Sequence, residues 1–254
     1  MPDKVFKIVA LALLALTVLA GGVAASNESD FETANGYFRD KEYGPAIDTY
    51  ESIVARGVES APLYYNLGNA YFRNGDLGRA VLNYMKARKL APADNDIRDN
   101  LEFAKQYTNI QMEGVKLNPI SSFLESLVGT YRLNTLAWVS SAIFILFMIL
   151  LSLRYGLGIR NAAVRVGIVT VLIFLVIASW LTTFKYRNDY LTQRAVIIAE
   201  ECPVTTGPSD ESDIELEAAP GLVVEILSES GDYYNVLFEN KRRGWIKKEL
   251  VAEI

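Results

Sequence analysis

The 254-residue sequence contains no histidine and one cysteine, Cys202. The first absence removes imidazole acid–base catalysis, Ser–His and Cys–His nucleophile pairs, and almost every zinc-hydrolase site. The second forbids an internal disulfide and any Cys-x-x-Cys redox pair. Positive charge is also scarce. The 25 Lys and Arg residues face 30 Asp and Glu, for a net charge of −5, so nucleic acid is not an expected partner. The sequence also lacks a glycine-rich phosphate loop and a metal-ligand cluster. The expectation is a protein that is no enzyme, with no catalytic residue, cofactor or metal.

What is abundant is apolar sequence, in three segments. The first, "VFKIVALALLALTVLAGGVAAS", follows the pattern of a secretory signal peptide over residues 1–25. Lys4 and Lys7 give the positive start, Ile8 to Ala20 the short apolar core, and Val23-Ala24-Ala25 the small-residue cleavage site. The alternative is an uncleaved anchor. The second and third segments, 133–153 and 164–184, each have about the 20 residues that cross a bilayer as a helix. Trp138, Tyr155, Trp180 and Tyr186 stand near their ends, where aromatic belts form. The connection 154–163 is short, and Arg154, Arg160 and Arg165 in and beside it face no acid. Such loops stay in the cytoplasm. Two spans then leave residues 26–130 and 187–254 on the opposite side, the periplasm in a cell with an outer membrane.

The first soluble piece repeats itself. At an offset of 34 residues, Phe31, Asn35, Tyr37, Phe38, Arg39, Gly44, Ala46 and Tyr50 fall on Tyr65, Asn69, Tyr71, Phe72, Arg73, Gly78, Ala80 and Tyr84. Tyr64, Leu67, Gly68 and Tyr71, followed by Ala80, Tyr84, Ala87 and Pro92, resemble the tetratricopeptide pattern. Small Gly68 and Ala80 let two helices approach, the tyrosines fill the space beside them, and Pro92 ends the second helix. The expected units are repeats at 26–60 and 61–94 and a capping helix at 95–117 that covers the last apolar face. Residues 118–132 read as an amphipathic linker helix. Asn118 and Pro119 start it, and Ile120, Phe123, Leu124, Leu127, Val128 and Tyr131 form its stripe. That stripe lies either on the membrane surface or against neighbouring helices.

In the tetratricopeptide family the first helix of each repeat lines a groove for extended peptides. The resemblance implies a partner-binding groove of Phe31, Asn35, Phe38, Arg39, Tyr65, Asn66, Asn69, Phe72 and Arg73. Amides would pair with peptide backbone, rings would take apolar side chains, and arginines would take carboxylates. The alternative is that the asparagines satisfy only local groups. Asn35 and Asn66 also match two asparagines of a carboxylate-gripping variant of the family, but Phe31 stands where that variant has lysine.

After residue 190 short β-rich runs replace the helical pattern: "AVIIAE", "LVVEILSES", "YYNVLFE" and "RRGWIKKELV". Their order, with the Gly-Pro-Ser turn at 207–209 and Gly244-Trp245-Ile246, resembles a bacterial SH3-like domain over 190–254. Tyr233, Tyr234 and Trp245 are its candidate ligand residues, for peptide or cell-wall glycan stems. Cys202 is read as a small buried side chain beside the first strand.

The expected fold class is therefore a multidomain membrane protein, made of an all-α tetratricopeptide solenoid, a two-helix transmembrane hairpin and an all-β SH3-like small barrel. This order of parts resembles the BatE-type tetratricopeptide proteins of bacterial aerotolerance (Bat) operons. The resemblance implies a scaffold in the bacterial inner membrane whose partners are other Bat-type membrane proteins with adhesion domains, in envelope stress or oxygen tolerance. The alternative function is peptidoglycan binding or sensing through the SH3-like domain.

Overall fold

The computed structural model describes residues 27–109, 127–159 and 161–254. The signal-peptide segment and the start of the linker helix lie outside the described residues.

Five helices form the first part: α1 over residues 27–39, α2 (Tyr43–Ala55), α3 (Ala61–Asn74), α4 (Leu77–Leu90) and α5 (Asn95–Asn109). Their boundaries follow from local chemistry. Ser60 accepts the Leu63 N–H to cap α3, and Asp76 accepts the Arg79 N–H to cap α4. Between them Gly75 sits in the left-handed region at φ 90° and closes α3. In the first unit Lys41 occupies the equivalent position at φ 65°. Asp94 accepts the N–H groups of Asp96 and Ile97 and starts α5.

The helices share one core, in which Ala34, Ala46, Tyr50, Leu67, Ala80 and Leu101 are buried. A Cβ added at Gly68 would lie 2.8 Å from the Tyr84 ring and 3.3 Å from the Ala80 carbonyl. The glycine sets how closely α3 meets α4.

Helix α6 (Leu133–Leu151) runs on through a wider turn at Ser152–Gly156, and α7 (Ala162–Tyr186) runs on to Leu191. Both are long and apolar enough to cross a membrane, and no part of their apolar windows is buried. The helical ends extend past the expected limits of 153 and 164, so Arg154 and Arg165 stand on helix ends rather than in the loop. The two helices pack on each other, with Gly167 against Leu150 and a 2.9 Å hydrogen bond between the Ser140 and Thr182 hydroxyls.

The last part is one seven-stranded antiparallel sheet, in the order β3-β2-β6-β5-β4-β1-β7. Its strands are β1 (Arg194–Ile197), β2 (Cys202–Thr205), β3 (Ile214–Ala218), β4 (Val223–Ser230), β5 (Tyr233–Leu237), β6 (Arg243–Lys247) and β7 (Val251–Glu253). Strands β2 and β3 are absent from the runs read off the sequence. Cys202 opens β2 and is fully buried, with Ile197, Val204, Val236, Phe238 and Ile246, in the core of this domain.

The helical and β parts touch. Val196 of β1 and Ile198, Val223, Ala252 and Ile254 join the helical core rather than the sheet's own. Val196 pairs with Val223 on one side and Ala252 on the other, so the three form a row across β4, β1 and β7 that faces the helices. The Lys89 ammonium donates to the Ile254 carbonyl at 3.4 Å, and the Arg132 guanidinium to the Leu90 carbonyl at 2.9 Å. Of the linker stripe, Val128 is buried while Leu127 and Tyr131 are exposed.

Gly68→Ala is expected to lower the denaturation midpoint of the detergent-solubilised protein. Overpacking costs about 1–3 kcal/mol and outweighs the roughly 1 kcal/mol gained by replacing a helical glycine. Gly44→Ala, with nothing within 4 Å, should leave the midpoint equal or higher.

Candidate functional site

Helices α1 and α3 carry the candidate groove residues, and Tyr50 of α2 reaches in from behind. Asn35, Phe38, Arg39, Tyr50, Asn66 and Asn69 line a partly open cleft of about 190 Å³. Five of these six belong to the set expected from the repeat.

The floor of the cleft is a hydrogen-bond network that repeats with the sequence. The Asn35 side-chain carbonyl accepts from the Tyr50 hydroxyl at 2.6 Å and from the Asn66 amide at 2.9 Å. Thirty-four residues on, the Asn69 carbonyl accepts from the Tyr84 hydroxyl at 2.7 Å and from the Asn100 amide at 2.9 Å. Each asparagine oxygen therefore has both lone pairs engaged. The asparagines brace successive helices, and Asn69 is a residue the fold uses.

This bracing decides what the cleft can offer. The Asn35 amide donates to Glu32 at 3.4 Å and the Asn66 amide to Asn35, so the amides lining the cleft offer both donors and acceptors. Arg39 lines the cleft, and Arg73, one repeat on, is exposed outside its lining. A surface of side-chain amides and a guanidinium group suits peptide backbone and carboxylates.

The remaining expected residues are placed differently. Phe31 packs at a tilt of 59° against Tyr50 with centroids 5.8 Å apart, and Tyr65 packs near Tyr84 at 6.1 Å and accepts from the Asn100 amide. Phe72 sits with Phe103 and Tyr107 at 5.7 and 5.9 Å. Phe31, Tyr65 and Phe72 therefore border the cleft residues without lining the cleft. Tyr50 and Asn100 were missed as site residues. Both were within reach, because they are the 34-residue equivalents of Tyr84 and Asn66.

Burial pushes the Tyr50 phenol up to about 12 and also raises Tyr84 and Tyr71. Tyr71 donates to Glu51, which adds to its shift.

On the β domain the three candidates divide. Tyr234 pairs with core residue Ile246, packs on the core and donates its hydroxyl to Glu253 at 2.6 Å. Tyr233 lies on the opposite face, because successive side chains alternate. It pairs with Lys247, while Trp245 pairs with Asn235 on that same face. Tyr233 donates to Asp210 at 2.6 Å, and Asp210 also binds Lys247 at 2.6 Å. Trp245 is half-buried beside this triad. Tyr233, Asn235, Trp245 and Lys247 thus share one face, on which Tyr233 is itself buried, and Tyr234 lies on the other.

Comparison with known families matches a tetratricopeptide repeat at residues 61–94 and a bacterial SH3 domain at residues 199–253. No curated protein matches the chain. The first likeness is to a module of protein–protein interaction, the second to a module of cell-wall binding.

Tyr50 is held protonated in the fold, so its stabilising contribution is complete below pH 10 and disappears as pH climbs toward about 12. Equilibrium unfolding as a function of pH should show stability falling across that window. Tyr50→Phe should make the fall shallower, and an identical slope in wild type and variant would contradict this origin.

Proposed function

We propose that the protein is a non-enzymatic scaffold anchored in a bacterial inner membrane by α6 and α7, with the repeat and β domains together on the extracytoplasmic side. The repeat cleft holds an extended segment of a protein partner. The partners are membrane proteins of the Bat type with adhesion domains, in an aerotolerance or envelope stress complex. The observation that carries the reading is the partly open, amide-lined cleft of Asn35, Asn66 and Asn69 with the Arg39 guanidinium. Two further observations support the arrangement. The helices expose apolar side chains along their whole length, which water disfavours and hydrocarbon does not. The β domain packs on α4, so both soluble parts need the same side of the bilayer, as an even number of crossings provides.

Arg39→Glu/Arg73→Glu tests the cleft while leaving the asparagine network intact. Wild-type protein purified in mild detergent should bring down an adhesion-domain membrane protein, and the variant should lose at least about tenfold, the equivalent of 1.4 kcal/mol. Equal recovery by both would remove the cleft as the partner site.

A second reading, favoured by the bacterial SH3 match and the Tyr233–Trp245 face, is that the β domain binds peptidoglycan. The full-length protein should then sediment with purified cell wall, and Trp245→Ala should reduce the bound fraction. Sedimentation that is absent, or unaffected by the substitution, counts against it.

A further inference from the structure

Helix α4 is buried over two faces and keeps Arg79 and Lys89 exposed, whereas its equivalent α2 is buried over one. In α2 the buried residues are Ala46, Ile47, Tyr50 and Ile53, one face only. In α4 the additional buried positions are Gly78, Leu82, Asn83 and Met85. The 34-residue equivalents of Leu82 and Met85 are Asp48 and Glu51, both exposed. The same repeat position is charged where it meets water and apolar where it meets the β domain. The glycines make the same contrast. Gly44 has open space around it, whereas a Cβ on Gly78 would lie 2.7 Å from both the Ile197 carbonyl and the Ile198 Cα.

We propose that the outer face of α4 is a dedicated docking surface for the β domain of the same chain, locking both domains into one rigid body. Leu82 and Met85 share an apolar cluster with Val196, Val223 and Ala252, and Gly78 admits the β1 backbone. That face of the second repeat is closed to other partners, while the corresponding face of the first repeat stays polar, with Asp48 and Glu51 exposed and Glu51 accepting from Tyr71. The repeat cleft and the Trp245 face are thereby held at a fixed separation. The chain acts as a two-headed bridge rather than as two tethered modules, whatever each head binds.

The test is a distance measurement by paired spin labels on full-length protein in detergent. Labels go on Ser52→Cys of α2 and Glu211→Cys of the loop between β2 and β3, both exposed. Cys202 is fully buried and its thiol is pushed up to about 12 by burial, so it stays unlabelled. One narrow distance is expected in the otherwise unaltered chain and in Gly44→Ala. Gly78→Ala and Leu82→Asp/Met85→Glu should each lose it for a broad distribution. Because repeat one folds with Asp and Glu at these positions, helical content by circular dichroism should hold in both variants. A broad distribution in the unaltered chain, or a narrow one surviving in either variant, overturns the proposal.

Discussion

The structure depends on the burial of one helix. Helix α4 is wedged between α3 and α5 on one side and the β1 strand on the other, and its sequence meets each demand separately. Ala80 and Tyr84 face α3, where Gly68 lets the Tyr84 ring come close. Leu82 and Met85 add a second apolar face that an ordinary solvent-facing helix would not carry. Burying two such side chains contributes roughly 1.5–3 kcal/mol each, a large share of what holds together a short array with few repeats. Repeat arrays need their end faces covered. Here α5 covers one face of the last pair and the β domain another.

The asparagine ladder solves a related problem with polar groups. Short helical arrays bury little surface, so successive repeats gain from directional links between them. Asn35, Asn66, Asn69 and Asn100 form two such links, each closed by a tyrosine from the second helix of its repeat. Bracing occupies the Asn35 and Asn69 carbonyls and the Asn66 and Asn100 amides, and it leaves the remaining edges of the amides for other contacts. Bracing and recognition are therefore not competing explanations of these residues: the first fixes the chemistry of the second.

How much of this was legible in the sequence depended on whether a signal was local. The repeat was readable because eight residues return at one spacing, and the apolar hairpin because composition alone declares it. The closing position at Lys41 was not, since only the geometry shows lysine taking the left-handed conformation that Gly75 adopts one repeat later. Strands β2 and β3 were missed for physical reasons. The first is four residues long and contains Pro203. The second is a five-residue edge strand with Ile214, Glu215 and Glu217 exposed. Its Ile-Glu-Leu-Glu-Ala run alternates, but it is short and two of its five residues are glutamates, which strands disfavour. Tyr233 and Tyr234 look equivalent as neighbours, and only the strand register sends one to each face. The contrast of Asp48 and Glu51 with Leu82 and Met85 was visible in the aligned repeats. It gained meaning once the β domain was seen against α4.

The C-terminal end of α4 is where these constraints meet the apolar helical hairpin. Its last carbonyls carry the negative end of the helix dipole, and two cations act there, Lys89 of α4 itself and Arg132 from a distant part of the chain. Arg132, the residue before α6, donates to Leu90, and Lys89 at the helix end holds the carbonyl of Ile254 beyond β7. The entry to the apolar hairpin and the close of the β domain are thus tied within two residues of each other. A partner pulling on the repeat cleft would load α4. On the proposed bridge, the force would pass from there to the hairpin through Arg132 and to the Trp245-bearing sheet through Lys89 and the docked face of α4. That is the mechanical property a bridging scaffold requires and a pair of independent modules would lack.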